Sequence, residues 1–327
     1  MPRLRRSRVA EPGLRRLRRG RGFAYLDSDG GVISDPLLLE RIARLAIPPA
    51  WTDVWICPHD NGHIQATGLD AAGRRQYLYH EVWRAQKDRL KFDRMLEFAA
   101  AIGPARRTVT RDLAADGFPR ARILAGAFRM LDAGALRMGS ERYSEENGSY
   151  GLSTLLCSHV RVVEARSLRL RFPAKSGQRW ESEIADPALA ALIVELAARG
   201  RRARLLAWRD ESGGRPIWRP VRPEDINADI RARTGGDFSA KDFRTLRGTA
   251  AAAVSLARTG PEATVRGRRA AIALAMREAA EVLGNTPTIA RTSYVDPRVV
   301  DRYERGQVID LPRGRSVESA LIELLRS

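Results

Sequence analysis

Gln76-Tyr77-Leu78-Tyr79-His80-Glu81-Val82-Trp83-Arg84-Ala85-Gln86-Lys87 is the stretch in which the chain changes its period. Before it, apolar residues come in short runs separated by turn residues; from about Glu81 onward they recur at helical spacing. Phe23-Ala24-Tyr25-Leu26, Asp29-Gly30-Gly31 and Val32-Ile33 read as strand, turn and return. Leu37 to Leu45 has helical spacing that Ile47-Pro48-Pro49-Ala50-Trp51 ends. Val54-Trp55-Ile56 and His63-Ile64-Gln65-Ala66 flank a turn at Asp60-Asn61-Gly62, and Gly73 leads into Gln76 to His80. Downstream, helical segments are expected over 81–102, 120–138, 187–199, 240–257 and 262–283, with loops at Pro104 and at Gly213 to Pro216. A small sheet is expected within 160–185. The fold class is therefore α+β: a small antiparallel β-rich N-terminal domain over 23–90, then a larger, mostly helical domain over 91–327.

Charge points to the partner. The 327 residues carry 57 Lys+Arg against 39 Asp+Glu, a formal net charge of +18. An excess of this size raises the local concentration of anions and suits a polyphosphate. Residues 1–22 are an Arg-rich arm, readable as lying along DNA phosphates or as a solvated tail. They lack the apolar core of a secretory signal, and no apolar run approaches the roughly 18 residues of a membrane span. Cys57 and Cys157 are far apart, so no disulfide framework is implied and a reducing compartment is expected.

Several chemistries have no residues to carry them. There is no nucleotide-binding phosphate loop and no His-Glu-x-x-His pair. Cys57, His59 and His63 lack a fourth ligand at matching spacing, so no metal is expected. Metal-free phosphoryl transfer needs a nucleophile, donors for the non-bridging oxygens and an acid for the leaving oxygen. Four clusters offer such groups: Leu136-Arg137-Met138-Gly139-Ser140-Glu141-Arg142-Tyr143; Phe172-Pro173-Ala174-Lys175-Ser176-Gly177; Ser239-Ala240-Lys241-Asp242-Phe243-Arg244-Thr245; and Leu283-Gly284-Asn285-Thr286-Pro287 with Tyr294. The third reads as a helix start, with Ser239 as cap and Asp242 at the capping-box position. Lys175 stands out because only four residues are lysine, and a lysine ammonium can be tuned to release a proton where a guanidinium cannot. Without its surroundings, chance placement of one lysine is the better explanation. Taken singly, Arg137 and Arg244 also read as core-edge ion-pair partners, and Tyr294 as a core-edge aromatic.

The order and spacing of these clusters, with the N-terminal strings Ile47-Pro48-Pro49-Ala50-Trp51, Gly62-His63-Ile64-Gln65-Ala66-Thr67-Gly68 and Gly73-Arg74-Arg75-Gln76-Tyr77-Leu78-Tyr79-His80, resemble the type IB DNA topoisomerases of the bacterial and poxviral branch. The resemblance runs from about Phe23 to the early 300s. It implies the catalytic fold shared by tyrosine recombinases and these topoisomerases, with the two domains closing around duplex DNA as a clamp. It further implies supercoil relaxation through a 3′-phosphotyrosyl intermediate, without ATP, Mg²⁺ or other cofactor. The matching catalytic set is Arg137, Lys175, Arg244, Asn285 and the nucleophile Tyr294. Gln76, Tyr77 and Tyr79, with Tyr143 and Lys241, match DNA-contacting positions. Viral members place a histidine where this chain has Asn285, so that position can donate a hydrogen bond but not shuttle a proton. The implied state is a monomer on duplex DNA, with no membrane and no obligate protein partner, in the cytoplasm at the nucleoid. A tyrosine recombinase, and a DNA-coating protein without chemistry, are the alternatives.

Overall fold

The computed structural model describes residues 3–310 and 314–326, leaving aside the side chain of Ser176. The chain divides into two compact units, residues 1–91 and 92–327.

The first unit is an antiparallel sheet of five strands in the order β2-β1-β3-β4-β5. These are β1 (Leu14–Arg19), β2 (Gly22–Leu26), β3 (Thr52–Ile56), β4 (Ile64–Leu69) and β5 (Arg75–Tyr79). Helix α1 (Pro36–Arg44) starts where the Asp35 side chain accepts from Leu37 N, at 3.0 Å. Its Ile42 joins Leu14, Ile47, Val54, Ile56 and Ala66 in a small core.

β1 departs from expectation, since Leu14–Arg19 lies within the stretch read as an arm. The reason is Arg16. It is 9% exposed and donates to the carbonyls of Ile47, Pro48 and Trp51, and its guanidinium lies 4.2 Å from the Phe23 ring centroid. An arginine whose donors are met by backbone can sit in a strand that alternates Leu14 and Arg16 inward. The expected Asp29-Gly30-Gly31 turn forms, with Gly31 N donating to Asp27 Oδ1 at 2.7 Å, but β2 pairs chiefly with β1.

Helix α2 (Glu81–Leu113) starts in the first unit and runs on through Pro104, where the sequence suggested a loop. Pro104 is exposed, whereas Ile102, Ala105, Val109 and Leu113 are buried. Burial of that apolar face outweighs the one backbone hydrogen bond a proline removes.

In the second unit, α2 packs into a core with α3 (Arg120–Gly134), α5 (Pro187–Ala197), α7 (Ala240–Thr259) and α8 (Val265–Leu283). A three-stranded antiparallel sheet, β6 (Val160–Val163), β7 (Ser167–Pro173) and β8 (Arg179–Ala185), stands within the expected span. A hairpin of β9 (Ala207–Asp210) and β10 (Ile217–Pro220) encloses the expected 213–216 loop. Short helices α4 (Glu141–Asn147), α6 (Pro223–Thr234), α9 (Pro287–Ser293), α10 (Pro297–Glu304) and α11 (Val317–Arg326) were not foreseen. Most are shorter than the windows over which helical periodicity can be read. Among the described residues, no helix is long and apolar enough to cross a membrane.

Candidate active site

Arg137 follows the end of α3, where Ala135 takes a left-handed conformation (φ 48°) and its N–H donates to Leu131 O. The residues after it are held in register by two backbone bonds of 2.8 Å, Leu152 N to Arg137 O and Ser153 N to Met138 O. The approach is so close that a Cβ on Gly151 would stand 2.5 Å from Gly139 N and 2.7 Å from Arg137 O. Only glycine fits there. The same segment reaches toward the next strand, because Tyr150 N donates to Pro173 O at 2.8 Å.

Helix α7 supplies Arg244. Its start is fixed by Asp242, whose carboxylate accepts from Ser239 N at 2.7 Å and from Arg94 Nε at 3.0 Å. Of the expected capping box the Asp242 half forms, while the Ser239 hydroxyl donates to the Asp242 carboxylate at 3.1 Å and caps no backbone N–H. Arg244 is 4% exposed and donates through Nη1 to Ala135 O at 2.5 Å and through Nη2 to Leu283 O at 2.9 Å. Its Nε is buried with no partner among the described residues. Of five N–H donors, two meet backbone carbonyls, which fix the plane while leaving others for a ligand.

Asn285 sits in the turn after α8. Gly284 is left-handed (φ 56°), and a Cβ there would stand 2.4 Å from the Trp180 ring, so the position needs glycine twice over. Asn285 Oδ1 accepts from Arg137 Nη2 at 2.5 Å. Its Nδ2 is buried and meets no acceptor with hydrogen-bond geometry, although it lies close enough to the Tyr294 phenol to help lower that group's pKa. Nδ2 thus keeps an N–H available to a further acceptor beside the phenol.

Tyr294 ends α9, its N–H donating to Ala290 O at 3.0 Å. The ring is half-buried, and Arg244 Cζ lies 4.9 Å from its centroid. Burial pushes the phenol pKa up, but the charge and hydrogen bond of Arg244 outweigh it, helped by the charge of Arg137 and by Asn285; the net direction is down. Arg137 is itself lowered, by burial first and then by the neighbouring Arg244. Two guanidiniums held this close to a phenol form a site made for negative charge.

The structure thus brings Arg137, Arg244, Asn285 and Tyr294 together from four segments of the chain. It does not join Lys175 to them: that residue is exposed, in the short turn between β7 and β8, and no hydrogen bond or ion pair links it to the four. Lys241 and Tyr143 are also exposed, the latter 49%. In the first unit Tyr77 and Tyr79 stack on the outer face of β5 with centroids 6.1 Å apart, and Gln76 Nε2 donates to Asp70 Oδ2 at 2.9 Å. Cys57, His59 and His63 do not group as metal ligands among the described residues; His63 Nδ1 instead accepts from Ser7 N at 2.9 Å. Thr249, Gly248 and Trp180 line the cluster and were not picked from sequence, since each reads there as an ordinary helix or strand residue.

Residues 80–307 match the model of the eukaryotic DNA topoisomerase I catalytic core, and residues 22–70 that of the bacterial DNA topoisomerase IB N-terminal domain. A DNA topoisomerase 1B of Acanthamoeba polyphaga mimivirus is 31% identical over 296 residues, which is 89% of this chain and 88% of that protein. The chain belongs to the type IB DNA topoisomerases. A DNA topoisomerase 1 of Mycosarcoma maydis is 23% identical over 198 residues, 57% of this chain but only 18% of that longer protein. As a type IB topoisomerase the chain is a DNA-acting enzyme, which sets aside both the recombinase and the DNA-coating alternatives.

Proposed function

We propose that this topoisomerase relaxes supercoiled duplex DNA by reversible transesterification at Tyr294. The phenol loses its proton to water and its oxygen attacks a backbone phosphorus. A 3′-phosphotyrosyl bond forms as the bond to the 5′ oxygen breaks. Arg137, Arg244 and the free amide N–H of Asn285 bind the non-bridging oxygens, each such donor contributing roughly 10²–10³ in rate by analogy with other oxyanion sites. Lys175 gives a proton to the departing 5′ oxygen, a role typically contributing about 10²–10⁴. The exposed turn that carries Lys175 suits a residue that meets its target only when DNA is bound. The severed strand turns about the intact one, torsion is released, and the 5′ hydroxyl attacks back. Because the phosphotyrosine conserves the bond, no nucleotide is consumed, and the arginines, Asn285 and Lys175 supply the charge stabilisation and proton that a metal would otherwise provide.

The observation that carries this reading is the grouping around the Tyr294 phenol, with Arg244 Cζ 4.9 Å from its ring centroid and the hydrogen-bonded pair Arg137 and Asn285 beside it. We further propose that residues 23–90 form a DNA-binding domain, with Gln76, Tyr77 and Tyr79 on the duplex, and residues 91–327 the catalytic domain, with Tyr143 and Lys241 near the cleaved phosphate. The enzyme is read as a monomer without an obligate protein partner, acting in the cytoplasm at the nucleoid. The test is plasmid relaxation in EDTA without ATP, with Tyr294→Phe beside the parent. Parent relaxation of both supercoil signs and an inert, DNA-binding Phe variant are expected. Strict Mg²⁺ dependence, or relaxation by the Phe variant, overturns the proposal.

A further inference from the structure

We propose that Thr249 is the positioning residue of the reaction: its buried hydroxyl ties the peptide of Tyr294 to the helix that carries Arg244. This rests on the assignment of Tyr294 as nucleophile.

Thr249 lies in α7, five residues beyond Arg244, and is fully buried. Its Oγ1 donates to Tyr294 O at 3.0 Å and accepts from Asp296 N at 3.1 Å. One hydroxyl therefore uses its single proton and a lone pair to bridge the junction between α9 and α10. On its other side, the Tyr294 peptide is held by the last turn of its own helix, where Tyr294 N and Val295 N both donate to Ala290 O. α9 is seven residues long, and its outer residues are exposed. A helix this short has little stability of its own, so its terminus needs an external anchor.

The neighbouring residues fit the same role. Gly248 brings α7 so near that a Cβ there would stand 3.1 Å from Tyr294 Cβ. Asp296 is wholly buried; it caps α10 by accepting from Arg298 N at 2.9 Å and pairs with the Arg298 guanidinium at 2.8 Å. The Thr249 bridge thus connects a rigid α7 to a firmly capped α10, with the tyrosine between. Arg244 and the phenol are registered to one another through six residues of one helix. The charged groups facing the phenol are Arg244 from α7 and Arg137 after α3, while Asp296 faces Arg298 instead.

Thr249→Val keeps the shape and removes the hydroxyl. A displacement of about 1 Å between reacting groups can slow chemistry by about 10²-fold, so single-turnover formation of the covalent adduct should fall by roughly tenfold to a hundredfold. Affinity for duplex DNA should stay within about twofold, because the residue is fully buried and offers no surface to DNA. The pH at which the cleavage rate is half-maximal should move up, since the phenol loses register with Arg244. Thr249→Ser should restore rate and pH profile. Parent rate and profile in the valine variant overturn the proposal, as does a serine variant as slow as valine. Should valine abolish cooperative unfolding, the pair Thr249→Ser and Thr249→Cys carries the same test, because they differ in one atom and sulfur is a weak hydrogen-bonding partner. Serine fast and cysteine slow supports the bridge; equal rates refute it. Tyr294→Phe is run alongside. If it still forms adduct, the nucleophile is wrongly assigned, a failure distinct from a Thr249 series that shows no effect.

Discussion

Asn285→Asp should make the protein more stable and the enzyme slower. The substitution is isosteric and replaces one amide N–H donor by a carboxylate oxygen. The parent residue buries Nδ2 beside the Tyr294 phenol without a well-formed hydrogen bond, while Oδ1 accepts from Arg137 at 2.5 Å. An orphaned buried donor destabilises a fold by about 1–3 kcal/mol, and aspartate removes it. The retained oxygen, already accepting from a charged donor, becomes a carboxylate oxygen, so its bond to Arg137 gains the attraction of an ion pair. Burying a carboxylate opposes this, but Arg137 and Arg244 both stand near enough to act on the Tyr294 phenol beside it, so the pair is compensated. A net gain of about 1–2 kcal/mol follows, or roughly 2–8 °C in Tm for a unit of this size. Cleavage moves the other way: losing one preorganised donor to the phosphate slows chemistry by about 10²–10³. The added charge also raises the phenol pKa, compounding the loss. The assay pairs thermal unfolding with single-turnover adduct formation on a labelled duplex. A variant that melts no higher than its parent and cleaves as fast would refute the assignment of Nδ2 as a donor held ready for phosphate.

Three further outcomes are expected. The cleavage rate at saturating DNA should rise with pH and level off below the ordinary phenol value of about 10, because the depressed group ionises earlier; Arg244→Gln should shift that rise upward, read from a pH–rate profile. Gly248→Ala places a methyl 2.8 Å from Leu283 Cδ1 and 3.1 Å from Tyr294 Cβ, so it should destabilise by about 1–3 kcal/mol and slow cleavage while DNA affinity holds, as denaturant titration and adduct kinetics would report. Lys175→Ala should be slow on normal DNA but regain much of its rate on a substrate whose leaving atom is a 5′-bridging sulfur, which needs no acid; an equally slow reaction there would remove Lys175 from the proton-donor role.

Much of the fold was legible because its signals are local. The shift from short runs to helical spacing near Glu81 marks the change from sheet to helix, and the unit boundary falls within α2, after Lys91. β1 was hidden by its charge: Leu14-Arg15-Arg16-Leu17-Arg18-Arg19 looks solvated until Arg16 is seen to be met by three distant carbonyls. Pro104 misled for the opposite reason, a local breaker overridden by tertiary burial on the helix's other face. At the site, Arg137, Arg244, Asn285 and Tyr294 were named from clusters and family likeness, and the structure groups them. Lys175 was named with the same set, and the structure places it at an exposed turn. Thr249 carried no signal at all. A threonine in an alanine-rich helix is unremarkable until the carbonyl it reaches proves to be that of Tyr294, 45 residues on.

The most direct test is to find the atom that DNA becomes attached to. The parent enzyme is trapped on a labelled duplex by denaturation, digested, and its adduct mapped by mass spectrometry. A single 3′-phosphate ester on the Tyr294 oxygen, formed in EDTA, is the expected product. An adduct on another residue, linkage to a 5′ phosphate, or no covalent species during active relaxation would contradict the mechanism.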